Sequence, residues 1–65
     1  MHPNELKDKY GLSYPKLAVF LCKDQKTVSR YCLGTSPVPE LVRGYCYLLD
    51  LYFQQNGVKM PPYIF

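Results

Sequence analysis

The chain has 65 residues, of which 48% are hydrophobic and 15% are aromatic, and its formal net charge at pH 7 is +3. A chain of this length forms one domain and hides only about 60% of the surface that it exposes when unfolded, which excludes a multidomain architecture. No apolar run approaches the roughly 20 residues that a membrane span needs, and the N-terminus lacks the residue order of a signal peptide, so we expect a cytoplasmic protein.

The histidine and cysteine content argues against catalysis and against metal binding. His2 is the only histidine, and no nucleophile or carboxylate accompanies it at a catalytic spacing. Cys22, Cys32 and Cys46 form no close ligand pair, and their odd number leaves one cysteine outside any disulfide scheme. We therefore predict no enzyme activity, no cofactor and no metal site, and we expect buried or half-buried free thiols.

Breaker and capping residues delimit two short helices at the start of the chain. Pro3 opens and Gly11 closes a segment with apolar residues four apart, which predicts a helix over 3–10. Ser13 is a good N-cap for the next segment, and its apolar residues share one helical face. The second predicted helix covers 14–22.

A more polar helix follows after a short break. Asp24 is suited to cap its N-terminus and Gly34 to end it, which predicts a helix over 25–33. Only Val28 and Tyr31 have the apolar character and spacing of inward-facing residues. The other side of this helix is polar and needs a solvent or partner contact.

The longest predicted helix covers 39–55 and is followed by an extended hydrophobic tail over 58–65. Apolar residues recur along the helix at helical spacing, and we expect these to face the core: Leu41, Tyr45, Leu48, Leu49 and Tyr52. Pro61 and Pro62 keep the tail out of helical conformation. The predicted fold is all-α, a small bundle of four helices over 1–57 that contains a helix-turn-helix.

The positive charge is confined to one part of the chain. Residues 1–12 and 44–65 each balance their charges, so the whole excess lies within 13–43. A localised basic region is the electrostatic footprint expected of a protein that binds a polyanion. The same pattern also fits a solvated helix face.

The stretch LSYPKLAVFLCKDQKTVSRYCLG resembles the helix-turn-helix of the phage-repressor class, which includes Cro, cI and XRE domains. The likeness covers about residues 12–50. Cys22 stands where the family usually has a turn glycine, so a left-handed backbone there would be strained. The matching positions are Leu12, Leu17, Ala18, Leu21, Thr27, Val28, Ser29, Arg30, Tyr31 and Gly34.

The resemblance implies sequence-specific binding of double-stranded DNA, as a small transcriptional regulator associated with the nucleoid or as the DNA-targeting domain of a larger protein. The third helix would then enter the major groove. By analogy, the base-reading residues are Gln25, Lys26, Ser29 and Arg30. The expected phosphate contacts are Tyr14, Lys16, Lys23, Thr27 and Arg43.

A rival prediction is a protein-interaction adaptor that uses the same scaffold. The chain has more apolar residues than such a small domain is expected to bury, and Val19, Tyr47, Leu51, Phe53 and Met60 belong to the surplus. The tail would either fold back over the first and last helices, form a homodimer, or dock on a neighbouring domain. The predicted interface residues are Phe20, Tyr63, Ile64 and Phe65.

Overall fold

The computed structural model describes residues 1–62, and within this range the chain forms four α-helices and no strand. The all-α prediction is confirmed, and every predicted helix end lies within one residue of the observed end. The helices are α1 (Pro3–Tyr10), α2 (Tyr14–Leu21), α3 (Gln25–Leu33) and α4 (Glu40–Asn56).

The first helix has a cap that uses the histidine. His2 Nδ1 accepts the backbone N–H of Asn4 at 3.1 Å, which satisfies one of the N–H groups that a helix start leaves without an intrahelical partner. Gly11 ends α1 in the left-handed conformation, with φ of 64°. His2 therefore has a structural role at the start of α1.

The inner sides of the four helices meet in one core. Leu6, Leu17, Val28, Cys46 and Leu49 are fully buried, and together they represent all four helices. Helix α1 packs against α2, α3 and α4, whereas the backbones of α3 and α4 do not approach each other closely in the described part of the chain. The outer side of α3 is consequently free of the longest helix.

The inward face of α4 agrees with the predicted one in part. Leu49 is fully buried, and Tyr45 and Tyr52 pack against the core as half-buried residues, as predicted. Leu41 is 88% exposed and Leu48 is 52% exposed, so these two leucines point away from the core. The helix carries two apolar stripes, and the core takes the one that includes Phe53, whose large ring buries more surface than a leucine. The buried members of that stripe are Val42, Cys46, Leu49 and Phe53.

Phe20 is a core residue, so its prediction as an interface residue is wrong. Its side chain is 3% exposed, and its ring lies 4.9 Å from the ring of Phe53 in an edge-to-face arrangement. Tyr10 contacts the same Phe53 ring at 5.1 Å. The neighbouring Val19 is 59% exposed, as predicted. Sequence alone placed Phe20 with Val19, although adjacent helical residues point about 100° apart.

The tail returns to the core as far as it is described. Met60 packs against the core as a half-buried residue, and Pro61 is fully buried. For these two residues the structure agrees with the first of the three alternatives for the tail, in which it folds back onto the core. The three remaining predicted interface residues, Tyr63, Ile64 and Phe65, lie outside the described residues.

A buried aspartate joins α1 to α4. Asp50 is 7% exposed, and it accepts hydrogen bonds from Lys9 Nζ at 2.9 Å, from Gln54 Nε2 at 3.1 Å and from the Tyr10 hydroxyl. The hydrogen bonds from Lys9 and Tyr10 hold the pKa of Asp50 below its usual value. Burial raises the pKa of Tyr10, and the bond to Asp50 raises that of Lys9. This cluster fixes α4 in its observed rotation.

None of the helices within residues 1–62 has the length and apolar character needed to cross a membrane.

Candidate nucleic-acid interface

Helices α2 and α3 are joined by a turn of three residues, Cys22 to Asp24, and pack against each other. The end of α2 is closed by two backbone hydrogen bonds, from Lys23 N–H to the carbonyl of Ala18 at 3.1 Å and from Cys22 N–H to the carbonyl of Val19 at 3.2 Å. This bonding pattern is the Schellman motif, and it requires a left-handed residue after the helix. Cys22 supplies it with φ of 56°.

Of the two alternatives that the missing turn glycine left open, a strained left-handed residue or a different turn, the structure has the left-handed residue. Cys22 is the one non-glycine residue with positive φ among residues 1–62. A side chain with a Cβ costs about 1–2 kcal/mol in this region. The turn geometry is thus kept without the glycine that would adopt it most easily.

Both helices of the unit start with a side-chain cap. Asp24 Oδ1 accepts the N–H of Thr27 at 2.7 Å, and Ser13 Oγ accepts the N–H of Lys16 at 3.3 Å. The hydrogen bond from the Thr27 backbone lowers the pKa of Asp24 below its usual value. The single acidic residue of this unit is therefore held at the start of α3.

The inner side of α3 is anchored as predicted. Val28 is fully buried and Tyr31 is 7% exposed, and both lie in the core shared with α1 and α2. The helix ends at Gly34, where Thr35 N–H donates to the carbonyl of Arg30 at 3.0 Å. Two buried anchors and a defined end fix which side of α3 faces outward.

The four predicted base-reading residues lie on the outward side of α3. Gln25, Lys26 and Arg30 are exposed, and Ser29 is half-buried. The Ser29 hydroxyl donates to the carbonyl of Lys26 at 2.9 Å, which leaves its oxygen available as an acceptor. Pairs four residues apart stack along one side of a helix, so 25 lies beside 29 and 26 beside 30.

Leu33 belongs to the same outward side, and sequence reasoning missed it. Its side chain is 69% exposed, and it follows Ser29 and Arg30 by four and three residues. An exposed methyl-rich side chain suits contact with the methyl group of thymine. The helical spacing from Lys26 through Arg30 to Leu33 was the signal that could have identified it.

The predicted phosphate-contacting residues divide between two places. Lys16 and Lys23 are exposed, and Thr27 is half-buried in the first turn of α3. Tyr14 is half-buried at the start of α2, where Lys7 Nζ lies 5.3 Å from its ring centre. These residues belong to the α2–turn–α3 unit or border it. Arg43 is exposed on α4, a helix whose backbone does not approach that of α3 closely.

The charge of the α2–turn–α3 unit is uncompensated. Within the described residues, four cations of this unit make no salt bridge: Lys16, Lys23, Lys26 and Arg30. By contrast, Lys7 pairs with Asp8 at 3.3 Å, and Lys9 pairs with Asp50 at 2.9 Å. Asp24 is the one acidic residue between 13 and 39. The three positive charges in excess over this range equal the net charge of the whole chain.

The cysteines are spread over three environments. Cys46 is fully buried, and burial raises its pKa to about 11. Cys32 is half-buried, and burial raises its pKa too. Cys22 is exposed in the turn, which corrects the expectation that all three are at least half-buried. Within residues 1–62, no three histidine, cysteine or acidic side chains come together as a metal site.

No protein-family model, curated protein or solved structure matches this chain. The functional conclusion therefore depends on the local geometry and charge described above.

Proposed function

We propose that this protein binds double-stranded DNA through the α2–turn–α3 unit, with α3 in the major groove. The observation that carries the proposal is the set of four exposed cations without ion pairs on a unit whose second helix is anchored by two buried residues. A helix of about 10–12 Å diameter fits a major groove about 12 Å wide. The free outer side of α3 gives it access to that groove.

The outward side chains of α3 have the donors and acceptors that read base edges. Arg30 and Lys26 can donate to O6 and N7 of guanine, and Gln25 can pair with N6 and N7 of adenine. Each well-placed contact of this kind discriminates between bases by about 1–3 kcal/mol. Ser29 adds one acceptor at the middle of the same side.

Phosphate contacts would fix the orientation of α3. Lys16 and Lys23 extend the positive surface from α3 to the start of α2 and to the turn, and Tyr14 and Thr27 add hydroxyl donors near two helix N-termini. Arg43 joins this set only if the duplex extends past α3 toward α4. Such contacts carry no sequence information but supply most of the affinity.

In this proposal the protein acts as a small transcriptional regulator at the nucleoid or as the DNA-targeting domain of a larger protein. The adaptor alternative, in which the scaffold binds a protein, is supported by the exposure of Val19 on α2. It loses the support of Phe20, which is buried. DNA binding is preferred because an uncompensated basic unit suits a polyanion.

A fluorescence-anisotropy titration with a random-sequence duplex at several salt concentrations tests the proposal. The slope of log affinity against log salt is about −0.9 for each phosphate contact neutralised. On a random-sequence duplex binding is non-specific, and the charges of Lys26 and Arg30 then act on phosphates, so substituting both with alanine should make the slope shallower by nearly 2. The matched control substitutes Lys7 and Lys59 with glutamine, which removes the same charge outside the α2–turn–α3 unit.

The control separates a defined surface from general attraction. If α3 faces DNA, the control retains a larger salt slope than the Lys26 and Arg30 double variant. Equal slopes in the two double variants would mean that the whole molecule is merely attracted to the duplex. Absence of wild-type binding at low salt would reject the proposal.

A further inference from the structure

Helix α4 carries a second apolar face on the side opposite the core. It consists of Leu41, Gly44, Leu48 and Leu51, with Tyr47 at its edge, and we refer to these five residues as the α4 outer face. Leu41 is 88% exposed, Leu48 52%, Leu51 38% and Tyr47 54%. None of these leucines contributes to the buried core.

The spacing of this face is that of a helix pairing with another helix. Positions 41, 44, 48 and 51 follow one another by three, four and three residues, which is the heptad spacing of a coiled-coil seam. The charged residues of α4 are Glu40, Arg43 and Asp50, and none belongs to the seam. Asp50 is buried on the core side.

We propose that the α4 outer face pairs with the same face of a second copy of this chain, with the two α4 helices antiparallel. The pairs 41 with 51 and 44 with 48 share one midpoint, position 46. A twofold axis at that position therefore sets each Leu41 against Leu51 of the second copy, and each Gly44 against Leu48. This self-complementarity is what an isologous dimer requires.

Gly44 provides the space for the opposing leucine. A Cβ placed on Gly44 would meet nothing within 4 Å, so the backbone there is open to the outside. Gly44 lies in mid-helix, where glycine destabilises a helix by about 0.5–1 kcal/mol relative to alanine. A leucine of the second copy packed onto this position uses the hollow that the missing side chain leaves.

The size of the face corresponds to a reversible dimer. With about 150 Å² for each fully exposed side chain of this size, the exposed fractions amount to roughly 350 Å² in each copy. Two copies would bury roughly 700 Å² of apolar surface before the rim is counted, below the approximately 1,200 Å² of standard interfaces. The dimer should therefore form and dissociate with concentration.

The pairing leaves the candidate nucleic-acid interface accessible, because the backbones of α3 and α4 do not approach each other closely and no residue of the α4 outer face belongs to that interface. The two proposals are independent, since the dimer forms through α4 without DNA. Each can fail without the other. The dimer is therefore tested on the protein alone.

Sedimentation velocity over a concentration series, from micromolar to millimolar, measures the pairing directly. The wild-type mass should rise from 7.6 kDa toward twice that value. Leu48→Glu should keep the monomer mass at all concentrations, because it sets a charge against the apolar seam. The control Val58→Glu, at a 43% exposed position outside α4, should behave as wild type. Circular dichroism checks that each variant remains helical.

A pair of variants tests the antiparallel register. Leu41→Glu and Leu51→Lys should each weaken self-association, whereas an equimolar mixture should regain it, because the glutamate then faces the lysine across the axis. A parallel pair would not regain association, since position 41 would face position 41. The proposal is overturned by a wild type that stays at 7.6 kDa, by a Leu48→Glu variant that still dimerises, or by a mixture that does not associate.

Discussion

Replacing Cys22 by glycine should stabilise the fold. Cys22 has φ of 56° and an exposed side chain, so the substitution removes left-handed strain without removing core packing. The relief is about 1–2 kcal/mol. It is offset by about 0.5–1 kcal/mol, because glycine loses more backbone entropy on folding. These two opposing effects leave a net gain in unfolding free energy of about 0–1.5 kcal/mol.

Thermal and urea unfolding followed by circular dichroism measure this gain. In a domain of this size, 1 kcal/mol corresponds to about 4–8 °C in Tm. The matched opposite change is Gly34→Ala, which places a Cβ at φ of 79° in the equivalent position after α3 and should lower Tm. A Cys22→Gly variant that is less stable than wild type would refute the assignment of a left-handed turn at this position.

Three further predictions concern the core and the charges around α3. Because hydrogen bonds from Lys9 and Tyr10 lower the folded-state pKa of Asp50, the stabilisation that they provide is complete above the usual aspartate pKa of about 4 and is lost as pH falls through the lowered value. The difference in unfolding free energy between wild type and Asp50→Asn, measured by circular dichroism, should therefore be smaller at low pH than at neutral pH. A difference that stays constant with pH would contradict the role of the carboxylate. Phe53→Ala should cost about 3–5 kcal/mol of unfolding free energy, because it removes the ring that Phe20 and Tyr10 contact. A loss near zero in urea unfolding would show that this ring is not central to the core. Asp24→Asn keeps a capping side chain but removes the one negative charge of the α2–turn–α3 unit. DNA affinity at low salt should therefore rise in the anisotropy assay. Weaker binding would argue that Asp24 itself contacts the duplex.

Local signals in the sequence were sufficient to predict the helices. Ser13, Asp24, Gly11 and Gly34 act as caps or stops where their chemistry predicts them, since capping involves atoms only a few residues apart. Val28 and Tyr31 are the two buried hydrophobic residues of α3 for the same local reason: few other apolar residues compete for its inner side.

The rotation of α4 was not predictable in the same way. The sequence of α4 has two apolar stripes, and contacts with residues elsewhere in the chain decide which one faces the core. Phe20 on α2 contacts Phe53, and the Lys9 and Tyr10 side chains on α1 reach Asp50. Long-range contacts of this kind leave no local pattern. Phe20 was misplaced and Phe53 was assigned to the surface for this reason.

The outward side of α3 was predicted more completely than the core. Gln25, Lys26, Ser29 and Arg30 share the outward side of α3 because its inner side is fixed by two residues only. Leu33 was missed because exposed apolar residues were considered only as interface candidates. The ion pairs that neutralise Lys7 and Lys9 required the structure, since Asp50 lies far from Lys9 in sequence.

The most direct test of the central claim is a nuclear magnetic resonance titration of isotope-labelled protein with a short duplex, which reports each backbone amide separately. If α3 enters the major groove, the largest chemical-shift changes should fall on Gln25 to Arg30, with smaller changes at Lys16 and Lys23. Residues of the α4 outer face should change little at protein concentrations where the chain is monomeric. Changes centred on α4, or none on α3, would contradict the placement of α3 in the major groove.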